Sequence, residues 1–315
     1  MKRKAIIFGI KGLSLSARES ILLKNDKPWG IILFSRNIKN LKQTQKLVDK
    51  IREITNDKKY PILIDEEGGK VSRIKNIVNH KFYTQDYFGK LYKKNKESFK
   101  IKYRQYVLEV CNILKKIGVN INTVPVLDVR QKKGNKIIGN RSYSENPKDV
   151  STIGNFLLTL YKKNKIGTVI KHIPGHGSAI NDSHHKLSVI KTPKTKLIKK
   201  DFLPFRLCHS KFAMTAHLVY SAYDTSNNAT QSKIIIKQVI RKHIGFKGIL
   251  ISDDISMKAL KFSLEKNAIM ALNAGCNLIL HCNGNIVEMK KLVKIIPTID
   301  KFTQKKTSQF YKFLG

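Results

Sequence analysis

GILISD, residues 248–253, passes from a glycine through Ile-Leu-Ile into a serine and an aspartate. A short, continuous, β-branched run without polar alternation suits a strand covered on both faces, as in a parallel sheet. The same form recurs along the chain. It is found as AIIFG at 5–9, GIILF at 30–34, PILID at 61–65, INTVPVLD at 121–128, TVIKH at 168–172, FAMTAH at 212–217 and NLILHC at 277–282. Longer stretches with helical spacing lie between most of these runs. Examples are LKQTQKLVDKIREI at 41–54, FKIKYRQYVLEVCNILKKIG at 99–118, IIIKQVIRKHIG at 234–245 and SLEKNAIMALNAG at 263–275. The second of these closes on a C-terminal glycine signal. Strand and helix therefore alternate about eight times, which predicts an α/β fold, a single (β/α)8 barrel in one domain over residues 1–315.

The residues just beyond each run support the barrel. They are Arg36 and Asn37, Asp65, Asp128, Lys171 and His172, His217, Asp253 and Asp254, and His281 and Asn283. In a (β/α)8 barrel all those strand ends open onto one face, where active sites are built. A doubly wound sheet would gather its ligand residues at one switch point instead.

Composition narrows the class. The chain has 315 residues, 41% of them apolar, and a formal net charge of +39. That charge invites a nucleic-acid reading, because Lys and Arg neutralise phosphates. The basic residues are spread through nearly every polar stretch, however, as in KKNKESFKIK at 93–102 and KTPKTKLIKK at 191–200. No nucleic-acid motif accompanies them, so no specific nucleic-acid partner is expected. Salt-sensitive sticking to polyanions follows from the charge alone. The four cysteines, at 111, 208, 276 and 282, form no C-x-x-C pair. They read as free thiols in a reducing cytoplasm. The apolar run after the basic start, MKRKAIIFGIKG, is too short for a signal peptide and reads as the first strand. No run is long enough to span a membrane.

Several stretches carry chemistry. In ISDDISM, 251–257, two adjacent carboxylates leave a buried strand. Successive side chains point to opposite sides. One carboxylate can therefore face the mouth and the other the wall; Asp253, at the strand's end, is the better catalytic candidate, and Asp254 a cap or supporting group. A glycosidase needs one ionised carboxylate under the anomeric carbon. In LIDEEGGKVSRI, 63–74, Asp65 ends a strand, Gly68 and Gly69 allow a tight backbone path, and Arg73 can return to the mouth. Carboxylate and guanidinium groups in one pocket hold sugar hydroxyls by charge-assisted hydrogen bonds. Arg141 lies in the loop NRSYSENP, 140–147. The segment KHIPGHGSAINDSHHK, 171–186, holds His172, His176, His184 and His185. An H-x-x-x-H pair can bind zinc on a helix, but Pro174, Gly175 and Gly177 break any helix here. The preferred reading is a loop that delivers one imidazole. Asp182 stands two residues before His184, so its carboxylate can fold onto the ring, fix the tautomer and raise its basicity.

Taken in order, KH(I)PGHG with DSH, D-x-EGG-x-V-x-R, PVLD, the RS(Y) loop, MTAH and SDD(I)SM resemble glycoside hydrolase family 3. Within it they are most similar to the single-domain β-N-acetylglucosaminidases. The resemblance spans roughly residues 5–285. It implies a barrel that removes non-reducing terminal N-acetylglucosamine from peptidoglycan-derived muropeptides with retention, in the cytoplasm and without a metal or cofactor. By motif position Asp253 corresponds to the nucleophile and His184 to the acid/base, held by Asp182. Asp65, Arg73, Arg141, Lys171 and His172 correspond to sugar-binding residues, and His217 to a site-lining one. Glu66 and Lys70 stand where the pattern has Gln and Arg, and Ile173, Tyr143 and Ile255 replace other usual residues. Glu66 adds a negative charge beside the sugar pocket. The rival readings are a β-glucosidase or N-acetylglucosaminide phosphorylase of the same fold, a metal-dependent hydrolase, and a basic polyanion-binding protein.

Overall fold

The computed structural model describes residues 2–131, 138–179, 188–258 and 260–315. Eight parallel strands close into a barrel: β1 (Lys4–Gly9), β2 (Pro28–Leu33), β3 (Ile62–Ile64), β4 (Ile121–Asn122), β5 (Gly167–Ile173), β6 (Phe212–Thr215), β7 (Ile249–Asp254) and β8 (Leu278–His281). Neighbours in sequence are neighbours in space, and β8 pairs with β1 to shut the ring. The strands are buried almost throughout, as their unbroken apolar runs require.

The connecting helices follow their caps. In Leu41–Thr55, Asn40 accepts from the Gln43 amide at 2.8 Å, and Thr44, Leu47, Val48 and Ile51 face the core. The long helix begins at Lys96, three residues before the expected start, because Asn95 caps it and accepts from the Ser98 amide. Residues Ile235–His243, expected as an α-helix, form a π-helix. The C-terminal helix Lys301–Leu314 closes the lower end of the barrel, where Phe310 packs on Phe212 and Thr307 accepts from the Trp29 indole at 2.9 Å. Among the described residues no helix is long and apolar enough to cross a membrane.

Three departures from regular strands shape the mouth. β4 is shorter than the apolar run 121–128 because Pro125 has no amide to donate. The chain still follows β5, with the Leu127 amide on the Lys171 carbonyl at 2.8 Å. On β5 the register with β6 slips between Lys171 and Ile173. On β7, Ile251 pairs with Leu278 but Asp254 with Leu280, so one extra residue is accommodated. Bulges of this kind re-aim side chains. They fall where Lys171, His172, Asp253 and Asp254 leave the barrel.

Candidate active site

The upper ends of β3 and β5 meet in a chain of alternating charges. Arg73 approaches Asp65 at 3.5 Å, Lys171 Nζ lies 3.0 Å from Asp65 and 2.6 Å from Glu67, and Arg141 grips Glu67 with two N–H groups at 2.8 and 2.9 Å. Thr123 Oγ1 donates to Asp65 and accepts from Lys171. Lys171 and Glu67 are the inner members, with side chains 3% and 0% exposed, whereas Arg73, Asp65 and Arg141 reach the surface at 26%, 15% and 15%. Fixed charges at the base therefore orient three groups whose outer edges remain open to a ligand. Burial opposes ionisation of Asp65, but Lys171, Arg73 and Thr123 outweigh it and hold the carboxyl far below its usual range. Glu67 behaves likewise: burial resists, Arg141 and Lys171 prevail, and it titrates at about 2.

Glu66, next in sequence, takes the opposite direction. Its Oε2 accepts from Ser72 Oγ and from the Arg73 and Ile74 amides at 3.0, 2.7 and 3.2 Å. It ties the returning loop rather than joining the charged cluster. Because its hydrogen-bond donors are uncharged, burial dominates and lifts it to about 7. The loop depends on Gly68 at φ +84°, where a Cβ would lie 2.3 Å from the Tyr83 carbonyl oxygen.

His172 forms a second arm. Its Nδ1 lies 2.7 Å from Asp128 Oδ2, and the Asp128 carboxylate also accepts from the His172 and His176 amides, the latter at 2.6 Å. Asp128 is fully buried, and the two imidazoles with those amide bonds keep it below its ordinary value despite the burial.

Asp253 stands at the bulged end of β7. Among the described residues only the Asp254 amide donates to its carboxylate, at 2.8 Å, while Thr215 Oγ1 takes its backbone N–H at 3.3 Å. Burial raises its pKa, but the fields of His217, His172 and Lys171 with the Asp254 amide prevail and leave it ionised. Those fields place Asp253 within electrostatic reach of the cluster on β5. Asp254 turns away and accepts from Ser256 and from the Cys282 amide at 3.1 Å, which pins β7 to β8. His217 spends both nitrogens inside the protein, Nδ1 on Thr230 Oγ1 at 2.8 Å and Nε2 on the Asp254 carbonyl at 3.0 Å. It steadies the Asp253–Asp254 step and directs no free nitrogen at a ligand.

Asp65, Arg73, Arg141, Lys171, His172, His217 and Asp253 thus share one mouth, joined by the contacts and fields above. Asp182 and His184 lie outside the described residues. Glu67 and Asp128 stand in the quoted motifs without an assigned role, and Thr123 is not singled out there. A signal for them did exist: three cations, Arg73, Arg141 and Lys171, against Asp65 and Asp253 as expected acids leave charge that a buried site must balance. Among the described residues no group of three or more His, Cys, Asp or Glu is arranged to hold a metal ion.

The profile of the glycosyl hydrolase family 3 N terminal domain matches residues 9–309. The chain belongs to glycosyl hydrolase family 3. It is accordingly a glycoside hydrolase. It is 32% identical over 303 residues to the beta-hexosaminidase of Actinobacillus pleuropneumoniae serotype 3, covering 93% of this chain and 86% of that one. It superposes on NagZ from Neisseria gonorrhoeae, solved with N-trifluoroacetyl-D-glucosamine, with a TM-score of 0.88 and 28% identity over 100% of this chain and 90% of that one. The family 3 beta-N-acetylglucosaminidase of Paenibacillus sp. FPU-7 gives a TM-score of 0.87 at 25% identity; the match covers 98% of this chain but 60% of that longer one. The charged cluster on β3 and β5 and the Asp253 carboxylate on β7 stand at the same end of the barrel.

Proposed function

We propose that this family 3 enzyme is a retaining β-N-acetylhexosaminidase. It removes non-reducing terminal N-acetylglucosamine from peptidoglycan-derived muropeptides, with Asp253 as nucleophile and His184, oriented by Asp182, as acid/base. The observation that carries the reading is Asp253: a half-buried, ionised carboxylate at a re-aimed strand end, with one hydrogen bond among the described residues and within the field of His172 and Lys171.

An Asp253 oxygen attacks the anomeric carbon as the glycosidic C–O bond breaks, and the His184 imidazolium gives its proton to the leaving oxygen. A glycosyl ester forms on Asp253. The imidazole, now neutral, takes a proton from water as the water oxygen attacks the same carbon. The ester bond breaks and the Asp253 carboxylate is restored. Asp65, Arg73, Arg141, Lys171 and His172 hold the sugar through charge-assisted hydrogen bonds, and His217, expected to line the site, instead steadies the Asp253–Asp254 step with both ring nitrogens. A neutral imidazole does not repel an anionic nucleophile or a charged aglycone, which is one reason for a histidine rather than a second carboxylate. A cytoplasmic setting is proposed too, in keeping with four free cysteines, three of them buried.

Mass mapping after treatment with a fluorinated N-acetylglucosaminide inactivator tests the assignment. Label on Asp253 is expected, and label on Asp65 or elsewhere refutes it. Nitrophenyl N-acetylglucosaminide should be turned over and the nitrophenyl glucoside should not. A sugar 1-phosphate formed in phosphate buffer would instead make the enzyme a phosphorylase.

A further inference from the structure

The chain leaving β5 is held by two buried carboxylates, and only one belongs to the sugar pocket. Asp128 takes the His176 amide. Two residues later, the Ser178 amide donates to Asp201 Oδ1 at 3.1 Å and Ser178 Oγ donates to Asp201 Oδ2 at 2.9 Å. Asp201 is 1% exposed, and among the described residues Ser178 supplies every hydrogen bond its carboxylate accepts. Its backbone is equally committed. Gly175, at φ +140°, runs so close that a Cβ there would stand 2.6 Å from the Asp201 carbonyl oxygen. Tyr220 Oη donates to the Gly175 carbonyl at 2.6 Å from the other side. The network continues outward: Gln131 Nε2 reaches Ser178 Oγ at 3.3 Å, and Lys200 Nζ donates to Gln131 Oε1 at 2.7 Å.

Among the described residues Asp201 has no ion-pair partner, and a buried carboxylate without one is a costly way to accept a hydrogen bond. Consistent with that, burial lifts the Asp201 carboxyl to about 7. What it secures is Ser178, four residues before Asp182 and six before His184. Each residue of chain spans at most about 3.5 Å, so the reach of those two side chains is measured from this anchor.

We propose that Asp201 is a positioning residue for the acid/base step: by gripping Ser178 it sets the point from which the Asp182–His184 segment departs. This rests on the role proposed above for His184. Proton donation to the leaving group matters most when that group is a poor one. Loss of the anchor therefore weakens hydrolysis of sugar-linked substrates more than that of activated aryl glycosides.

The experiment compares kcat/KM on a β-1,4-linked N-acetylglucosamine disaccharide and on the dinitrophenyl N-acetylglucosaminide. The enzymes are the wild type, Ser178→Ala, Ser178→Thr, Asp201→Asn and the Ser178→Ala/Asp201→Asn double variant, with His184→Ala alongside. Misplacement of a reacting group by about 1 Å can cost on the order of 100-fold. Each single variant is expected to lose about 10- to 100-fold on the disaccharide and only a few-fold on the aryl glycoside. Ser178→Thr, which keeps the hydroxyl, is expected to restore most of the loss. The double variant is expected to be no worse than the poorer single one, as a shared contact requires. Equal losses on both substrates, or losses that multiply in the double variant, overturn the inference. If Asp201→Asn fails to fold, the Ser178 variants decide it. His184→Ala separates the two levels. If it shows no leaving-group dependence, the acid/base assignment fails. If it shows dependence and the Ser178 and Asp201 variants do not, only the anchor fails.

Discussion

Replacing Glu66 with glutamine should stabilise the protein, and only above mildly acidic pH. The residue is 1% exposed, accepts three uncharged donors on one carboxyl oxygen, and has a buried second oxygen, Oε1, without a partner among the described residues. Its pKa rises from the ordinary 4.5 to about 7. A raised acid binds more protons folded than unfolded, so stability falls as pH climbs from the unfolded value to the folded one and is level beyond it. At 1.36 kcal/mol per unit the full penalty is about 3 kcal/mol, reached above pH 7; at pH 5 it is under about 1 kcal/mol. Glutamine keeps an oxygen for Ser72, Arg73 and Ile74 and removes the ionisation. Unfolding free energies of E66Q and wild type from urea titrations should differ by under about 1 kcal/mol at pH 5 and by up to ~3 kcal/mol at pH 8. A stability difference that does not change with pH, or a glutamine variant less stable at pH 8, refutes the reasoning.

Glu67 predicts the reverse slope. Its pKa is depressed from 4.5 to about 2, so the stability it contributes is full above 4.5 and lost as pH falls toward 2; urea midpoints of the wild type across that window should drop steeply. Arg141→Lys keeps the charge but loses the two-pronged grip on Glu67. Charge-assisted pairs are worth roughly 1.5–3 kcal/mol, so kcat/KM should fall about 10- to 100-fold; an unchanged KM with an intact Tm would count against a role in sugar binding. Gly177→Ala would bring a Cβ to 1.9 Å from the Val129 carbonyl oxygen, so a Tm loss of several degrees or failure to fold is expected, and an unchanged melting curve would mean this crossing is not as close as described.

The strands were legible because burial on both faces leaves a one-dimensional mark. Ile249-Leu250-Ile251 and its counterparts can only be covered by protein, and eight such runs with helices between them close most simply into a barrel. The departures were less legible because they arise from pairing between strands. Nothing local in TVIKH says that β5 slips against β6 beyond Lys171, and nothing in GILISD says that β7 fits three steps against two of β8. Yet those slips decide how consecutive side chains such as Lys171 and His172 enter the same mouth, against the alternation of a regular strand.

Glu66 and Glu67 show the same limit in the site itself. They are one chemical group on adjacent positions, and the run D-E-E-G-G gives no reason to treat them differently. Alternation sends one toward Arg141 and Lys171 and the other toward Ser72 and two backbone amides. Burial raises both: for Glu67 two paired cations more than offset it, whereas for Glu66 the neutral donors and the field of Arg73 do not. Those partners come from positions 72–74 in one case and from 141 and 171 in the other. The motif can announce that a carboxylate is present; whether it is an anion near neutral pH is decided by residues up to a hundred positions away.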